Sequence, residues 1–388
     1  MNRWHRLFED RPRVVAGVMS GTSMDGIDVA VARLEGSGRA MSFEMLSRVS
    51  VPFPDSLSAE IRLCAEAVDY PVDAMCRLGP RLAKAYAAAV RESGVSEIDL
   101  VGCHGQTVRH QPEPAEFADA EVRATLQLVS GPALAAELAL PVVTDFRSAD
   151  VALGGQGAPL VPYADWALLS SDDEDRIALN LGGIANVTAL PRGGGRDKVT
   201  AFDTGPANML LDTLARELLG APMDANGAAA AQGQVLTQAL EEVLMHPYFD
   251  REPPKSAGRE AGEAGFGQAF ADRFRSVCGE SQSPEDLLAT ATELTAVSVA
   301  RAVERFLKLP DARVIAAGGG TRNAFLMDRL AAHLPRVSLS DEFGVDAHFK
   351  EALAFAVLAH EAVRGVPTGM PSVTGATRAA VLGSISWP

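Results

Sequence analysis

Three passages bring glycine, hydroxyl and carboxylate side chains to the ends of apolar runs: GVMSGTSMDGID from Gly17 to Asp28, NLGGIANVTAL from Asn180 to Leu190, and VIAAGGGTRNAFL from Val314 to Leu326. Glycine lets a backbone turn through positive φ or approach a ligand closely. N–H groups at such turns, with a helix N-terminus behind them, make an anion site. Three such turns in one chain could together cradle a nucleoside triphosphate. The first carries no lysine. Phosphate charge there would have to be met by N–H dipoles, by the hydroxyls of Thr22 and Ser23, and by a divalent cation. Magnesium takes oxygen ligands and keeps several waters, so one or two carboxylates among Asp25, Asp28 and Asp203 would suffice.

Other readings of these turns fail residue by residue. A Walker loop needs lysine after its last glycine, and Ile27 follows Gly26. A nucleophile elbow around Ser23 needs glycine where Asp25 stands. GGQGAP, Gly154 to Pro159, lacks the spacing of a dinucleotide fingerprint and follows no obvious strand.

The elements that must position these turns alternate. RVVAGVM, FEMLSRVSV and EIDLVGCHG read as strands around a helix in DAMCRLGPRLAKAYAAAVRES. A second passage has the strands RIALNLGG and NVTALP and helices around MLLDTLARELL, GQVLTQALEEVLMHPYF and PEDLLATATELTAVSVARAVERFL. It closes with the strand ARVIAAGGG and the helix NAFLMDRLAAHL. The pattern is α/β, in two halves. Small and turn-forming residues in DFRSADVALGGQGAPLVP, Asp145 to Pro162, mark the junction.

Composition narrows the function. A chain of 388 residues, 47% hydrophobic, exceeds one ordinary core and predicts two domains. A formal charge of −15 leaves no general basic surface for DNA or RNA. The charged start MNRWHRLFEDRPR is unlike a signal peptide, and no apolar run reaches membrane-spanning length, so a cytoplasmic protein without a membrane partner is expected. Cys64, Cys76, Cys103 and Cys278 form no C-x-x-C pair, which argues against a zinc knuckle or a disulfide framework.

In order along the chain, GVMSGTSMDGID, GCHGQTVRH, GGQGAPLVP, NLGGIANVT, FDTGPANMLLD, ATATELTAVS, GGGTRNAFLM, EALAFAVLAH and PSVTGA resemble the motifs of bacterial anhydro-N-acetylmuramic acid kinases, from Gly17 to Ala376. The resemblance implies an α/β fold of two related actin-like, ribonuclease H-like domains with a nucleotide cleft between them. It assigns residues 1–149 with 371–388 to the first domain, which carries the first phosphate loop. Residues 150–370 form the second, with the catalytic aspartate and the adenosine-side motif. It also implies ATP and Mg2+ as cofactors, and hydrolytic opening of 1,6-anhydro-N-acetylmuramic acid with phosphorylation at O6, a step of peptidoglycan recycling. A homodimer is a further implication.

Carried over residue by residue, the resemblance places the water-activating base at Asp203 in FDTGP. It puts the nucleotide on Gly21, Thr22, Ser23, Asp25, Gly26, Asn180, Gly182, Gly183, Gly318, Gly319, Gly320 and Asn323. It puts the sugar on His104, Gln106, Thr107, Arg147, Asp150 and Glu351, and the metal on Asp25 and Asp203, directly or through water. Lys255 and Arg259 in PPKSAGRE are expected to face the nucleotide. Two departures stand out. Met19 occupies a position where the wider superfamily often has aspartate, and DFRSAD has Ser148 and Ala149 where many relatives have consecutive arginines after the first. Two rival readings remain: an ordinary sugar kinase that uses no water, and an ATP-driven actin-like module without sugar chemistry.

Overall fold

The computed structural model describes residues 3–388 except 22, 23, 68, 259–264 and 280, so Thr22, Ser23 and Arg259 lie outside the described residues. The chain divides into two compact units, residues 1–168 with 349–388, and residues 169–348.

In the first unit, β1 (Arg13–Met19), β2 (Gly26–Glu35) and β3 (Ser42–Pro52) form an antiparallel meander. β4 (Leu100–Cys103) then adds parallel to β1. β5 (Gln106–Phe117) and β6 (Ala120–Leu128) make a separate hairpin, and β7 (Val142–Thr144) lies parallel to β4. The helix Val72–Glu92 buries Leu78, Leu82, Tyr86 and Val90, spaced at four residues, in a core shared with Val18, Val29 and Val101. That spacing is what an amphipathic helix needs to cover a sheet.

The other face is covered by the helix Lys350–Val363, buried along nearly its whole length. Glycines let it approach. A Cβ on Gly17 in β1 would sit 1.8 Å from the Ala352 carbonyl oxygen, and one on Gly102 in β4 would sit 2.2 Å from that of Phe355.

In the second unit, β8 (Arg176–Leu181), β9 (Ile184–Leu190) and β10 (Thr200–Pro206) form another antiparallel meander. β11 (Arg313–Ala317) pairs parallel with β8, and β12 (Val337–Leu339) parallel with β11. The helix Pro284–Ala302, capped by Ser283 with proline in its first turn, is buried on most sides. It joins the core of the helical layer around Leu210, Phe270 and Leu294. From this helix Glu293 accepts from Arg329 and His333 of the helix Ala324–His333.

The sheet orders are β13-β7-β4-β1-β2-β3, with β13 being Ser384–Ser386, and β10-β9-β8-β11-β12. Each therefore has three antiparallel strands followed by two parallel ones, in the same spatial sequence. The expected pair of related ribonuclease H-like α/β domains is present. The divisions fall at 168/169 and 348/349, whereas the sequence reading placed them at 149/150 and 370/371. The difference comes from the helix Lys350–Val363 and most of Val161–Leu169, which pack with the first unit. A buried ion pair between Lys350 and Asp165, at 3.0 Å, joins them. Among the described residues no helix is long and apolar enough to cross a membrane.

Candidate active site

Asp203 stands on β10 where its register with β9 shifts, between Asp203 and Gly205. Gly205 has φ +152, and a Cβ there would meet the Phe249 ring at 2.8 Å, so the strand can bend here only with glycine. The aspartate is held from three sides. Its amide donates to the Lys255 carbonyl at 3.1 Å, the Tyr248 hydroxyl donates to its carbonyl at 2.9 Å, and the Ala257 amide donates to Oδ2 at 2.8 Å. Among the described residues Oδ1 takes no protein hydrogen bond. Burial pushes the carboxyl up to about 6, against the Ala257 N–H and the Lys255 charge, which pull it down. The group is thus ionised at neutral pH yet basic enough to accept a proton from water.

Lys255, expected from the sequence to face the nucleotide, is a buried side chain. It is 5% exposed, and its ammonium lies 4.7 Å from the Phe306 ring centroid, 4.9 Å from Tyr248 and 5.8 Å from Phe202. It donates to the Tyr248 carbonyl at 3.2 Å. Burial and the neighbouring Arg305 bring its value down to about 8.

In the same unit the two glycine turns meet. A Cβ on Gly318, which has φ +92, would lie 2.8 Å from the Leu181 carbonyl oxygen and 2.9 Å from Asn180 Oδ1. One on Gly320 would lie 2.7 Å from the Leu181 Cβ. Asn180, Gly182, Gly183, Gly318, Gly319 and Gly320 are therefore neighbours. Asn208 lies against both, since a Cβ on Gly320 would stand 3.2 Å from its Oδ1. Its Nδ2 donates to the Leu181 carbonyl at 3.0 Å, and its amide donates to that of Gly182 at 3.1 Å. Asn208 is not among the residues expected from the sequence, although it directly follows FDTGPA in the motif that carries the base. Asn323 has a structural task, because its Oδ1 caps the helix Ala324–His333 by accepting from the Leu326 amide at 2.9 Å.

In the first unit Gly21 and Gly26 flank the turn between β1 and β2, and Asp25 is exposed on it. The turn is tied to the candidate sugar residues. Gln106 Nε2 donates to the Gly21 carbonyl at 3.2 Å, and Ser20 Oγ donates to that of Gly105 at 3.2 Å. Gln106 Oε1 is buried with no protein partner among the described residues, an acceptor that a ligand N–H or O–H can satisfy.

His104 Nε2 accepts from Arg147, whose Nη1 donates to the Gly157 carbonyl at 2.7 Å. Burial, then Arg147, holds His104 well below the usual histidine value. Burial also lowers Arg147 to about 10, against the charges of Glu351 and Asp150. Asp150 accepts from the Gly157 amide and from Thr374 Oγ1, each at 2.8 Å, so it shapes the loop beside Arg147. Thr107 Oγ1 accepts from Gln127 at 3.4 Å. Ser148, at the arginine departure, donates to Asp145 Oδ1 at 2.5 Å.

Among the described residues no cluster of three or more histidine, cysteine or acidic side chains could hold a metal by itself. Exposed Asp25, and Asp28, which accepts from Ser50, are single oxygen donors. Such a donor set fits a magnesium ion held chiefly by phosphates and water.

The family model described as anhydro-N-acetylmuramic acid kinase matches residues 13–388. A curated protein of that name from Salinibacter ruber is 47% identical over 387 residues, covering 97% of this chain and 96% of its own. One from Gloeobacter violaceus is 43% identical over 385 residues, with 96% and 98% covered. One from Bacillus cereus strain AH187 is 38% identical over 387 residues, with 96% and 99% covered.

Proposed function

The chain belongs to the anhydro-N-acetylmuramic acid kinase family, and from that premise we infer that it uses ATP and water to open the 1,6-anhydro ring of 1,6-anhydro-N-acetylmuramic acid and phosphorylate O6. The products are N-acetylmuramic acid 6-phosphate and ADP, an outcome that serves peptidoglycan recycling. The observation that carries the reading is the Asp203 carboxylate, fixed by the Ala257 amide through one oxygen and raised to about 6.

Asp203 takes a proton from water, whose oxygen forms the new bond to C1. As the C1–O6 bond breaks, its electron pair stays on O6, which bonds to the γ-phosphorus while ADP leaves. In the second unit the Asn180–Gly183 and Gly318–Gly320 turns, with Asn208 against both, serve the nucleotide. In the first unit the turn with Gly21, Asp25 and Gly26 serves the phosphates. Gln106, Arg147 and Glu351 meet the sugar, with His104 and Asp150 holding Arg147 and its loop. Asp25 or Asp203, directly or through water, would hold magnesium beside the phosphates, where the ion would neutralise their charge. The enzyme acts in the cytoplasm, where ATP is available, and as a homodimer.

The test is mass spectrometry of the product formed from the anhydro sugar, ATP and magnesium in oxygen-18 water. The expected product carries one phosphate and one label at the anomeric oxygen, and Asp203→Asn forms none. Phosphorylation without label would indicate an ordinary sugar kinase. ATP turnover that needs no sugar would indicate an actin-like module.

A further inference from the structure

Asp203, Tyr248 and Lys255 form a closed ring of hydrogen bonds. The Asp203 amide donates to the Lys255 carbonyl at 3.1 Å, the Lys255 ammonium donates to the Tyr248 carbonyl at 3.2 Å, and the Tyr248 hydroxyl donates back to the Asp203 carbonyl at 2.9 Å. Two residues beyond Lys255, the Ala257 amide supplies the bond to Asp203 Oδ2. The loop that orients the carboxylate is thus anchored by the side chain of Lys255.

That side chain is an unusual anchor. A buried ammonium is strongly disfavoured unless its surroundings replace water. Here its hydrogen bonds go to the neutral carbonyls of Tyr248 and Phe249, and the Tyr248 and Phe306 rings stand within 5 Å. Such rings attract a cation through their electron-rich faces. A methionine of similar length would fill the cage, but it would donate nothing to Tyr248 and feel no attraction to the rings.

We propose that Lys255 is a positioning residue for the reaction: clamped in its aromatic cage, it holds residues 255–257 so that the Ala257 amide fixes the direction of the Asp203 carboxylate. The proposal rests on Asp203 acting as the base. The ammonium itself touches no substrate. It acts through the backbone, so its loss should slow the chemical step and leave both substrates' binding in place.

The test uses the full chain with Lys255→Met, Lys255→Arg and Phe306→Leu, each checked for folding by thermal unfolding. Lys255→Met is expected to lower kcat by about 100-fold, the order of effect of displacing a catalytic group by an ångström. KM for ATP and for the anhydro sugar should stay within about threefold, since the misplacement acts after binding. Lys255→Arg, which keeps charge and donors, should recover much of the loss, and Phe306→Leu should reproduce part of it.

Amide hydrogen exchange across residues 255–258 supplies a readout that needs no turnover. Protection of the Ala257 amide should fall in Lys255→Met and Phe306→Leu and return in Lys255→Arg. A folded Lys255→Met protein with unchanged kcat and unchanged exchange would overturn the proposal. Should Lys255→Met not fold, equal kcat and exchange in Phe306→Leu and the parent would overturn it. A parent protein without sugar turnover would instead defeat the assignment of the base, and the exchange measurement would still decide whether Lys255 holds the loop.

Discussion

Nε2 of His104 lies 3.2 Å from Nε and 2.9 Å from Nη2 of Arg147, so the imidazole accepts both N–H groups and keeps its own proton on Nδ1. Burial and the adjacent cation keep it neutral. His104 is thereby an orienting partner of Arg147 rather than an acid or base. Replacing it with alanine leaves two buried guanidinium donors without their acceptor, at about 1–3 kcal/mol of stability. KM for the sugar should rise tenfold or more, on the order of 1.4 kcal/mol of lost binding, with KM for ATP unchanged. Steady-state kinetics with each substrate varied checks this.

The pH response belongs to Asp203. Because its value is about 6, kcat/KM should fall as the pH drops through 6 and protonates the base. Lys255 sets the opposite limit, since its value near 8 predicts loss of the positioning charge in the alkaline range. A pH–rate profile from 5 to 9 tests both limbs.

Stability moves the other way. The folded value of Asp203 lies above the usual 3.8, so the native state binds this proton more tightly than the unfolded chain does. The stabilisation is complete below about pH 4 and is lost as the pH rises through 6, a difference of order 3 kcal/mol. Asp203→Asn should therefore be inactive and more stable than the parent at pH 8, with the gain gone at pH 4. Urea unfolding at the two pH values measures it.

Backbone proximity yields a prediction remote from the ligands. With Cβ distances of 1.8 Å and 2.2 Å to carbonyl oxygens, Gly17→Ala and Gly102→Ala must push the helix Lys350–Val363 off the sheet. Each should destabilise by about 3 kcal/mol or more. Gly365→Ala, at φ +68 with open space around it, should cost only about 1 kcal/mol for its left-handed backbone. Thermal unfolding of the three variants separates steric exclusion from backbone strain.

At the nucleotide turns, Gly318→Ala combines φ +92 with a contact of 2.8 Å to the Leu181 carbonyl. The turn cannot keep its place against Asn180. KM for ATP should rise by about tenfold, some 1.4 kcal/mol, with that for the sugar little changed, as nucleotide binding by calorimetry can confirm.

What local pattern could show was visible in the chain. The apolar runs of β1, β8 and β11 and the helix Val72–Glu92 stand where their periodicity puts them. β2 was not seen as a strand. It is buried on both faces through its middle, so it lacks the alternation that announces a half-exposed strand. β5 was hidden by Pro112 and Pro114, which fall in a break of the β5–β6 register where no ladder bond is needed. The helix read through GQVLTQALEEVLMHPYF divides at Pro247, which begins a new turn after Thr237–Leu244.

At the site, the glycine turns were legible because each stands directly at the end of an apolar run. The Lys255 cage was not, since Phe202, Tyr248 and Phe306 are far apart in the chain and meet only in the folded unit. The division into units at 168/169 and 348/349 is hidden from local pattern for the same kind of reason. The affinity of Lys350–Val363 for the first sheet depends on two glycines more than 200 residues earlier.

The first unit is assembled from both ends of the chain, whereas the second is a single continuous stretch. During synthesis, residues 169–348 can complete their sheet as soon as they emerge, but β1 and β4 must wait uncovered until the final segment is made. The ribosome therefore releases a chain whose earliest strands are among the last to be finished. Truncation near residue 349 should leave the nucleotide turns of the second unit folded while the first exposes a bare apolar face to chaperones and to aggregation.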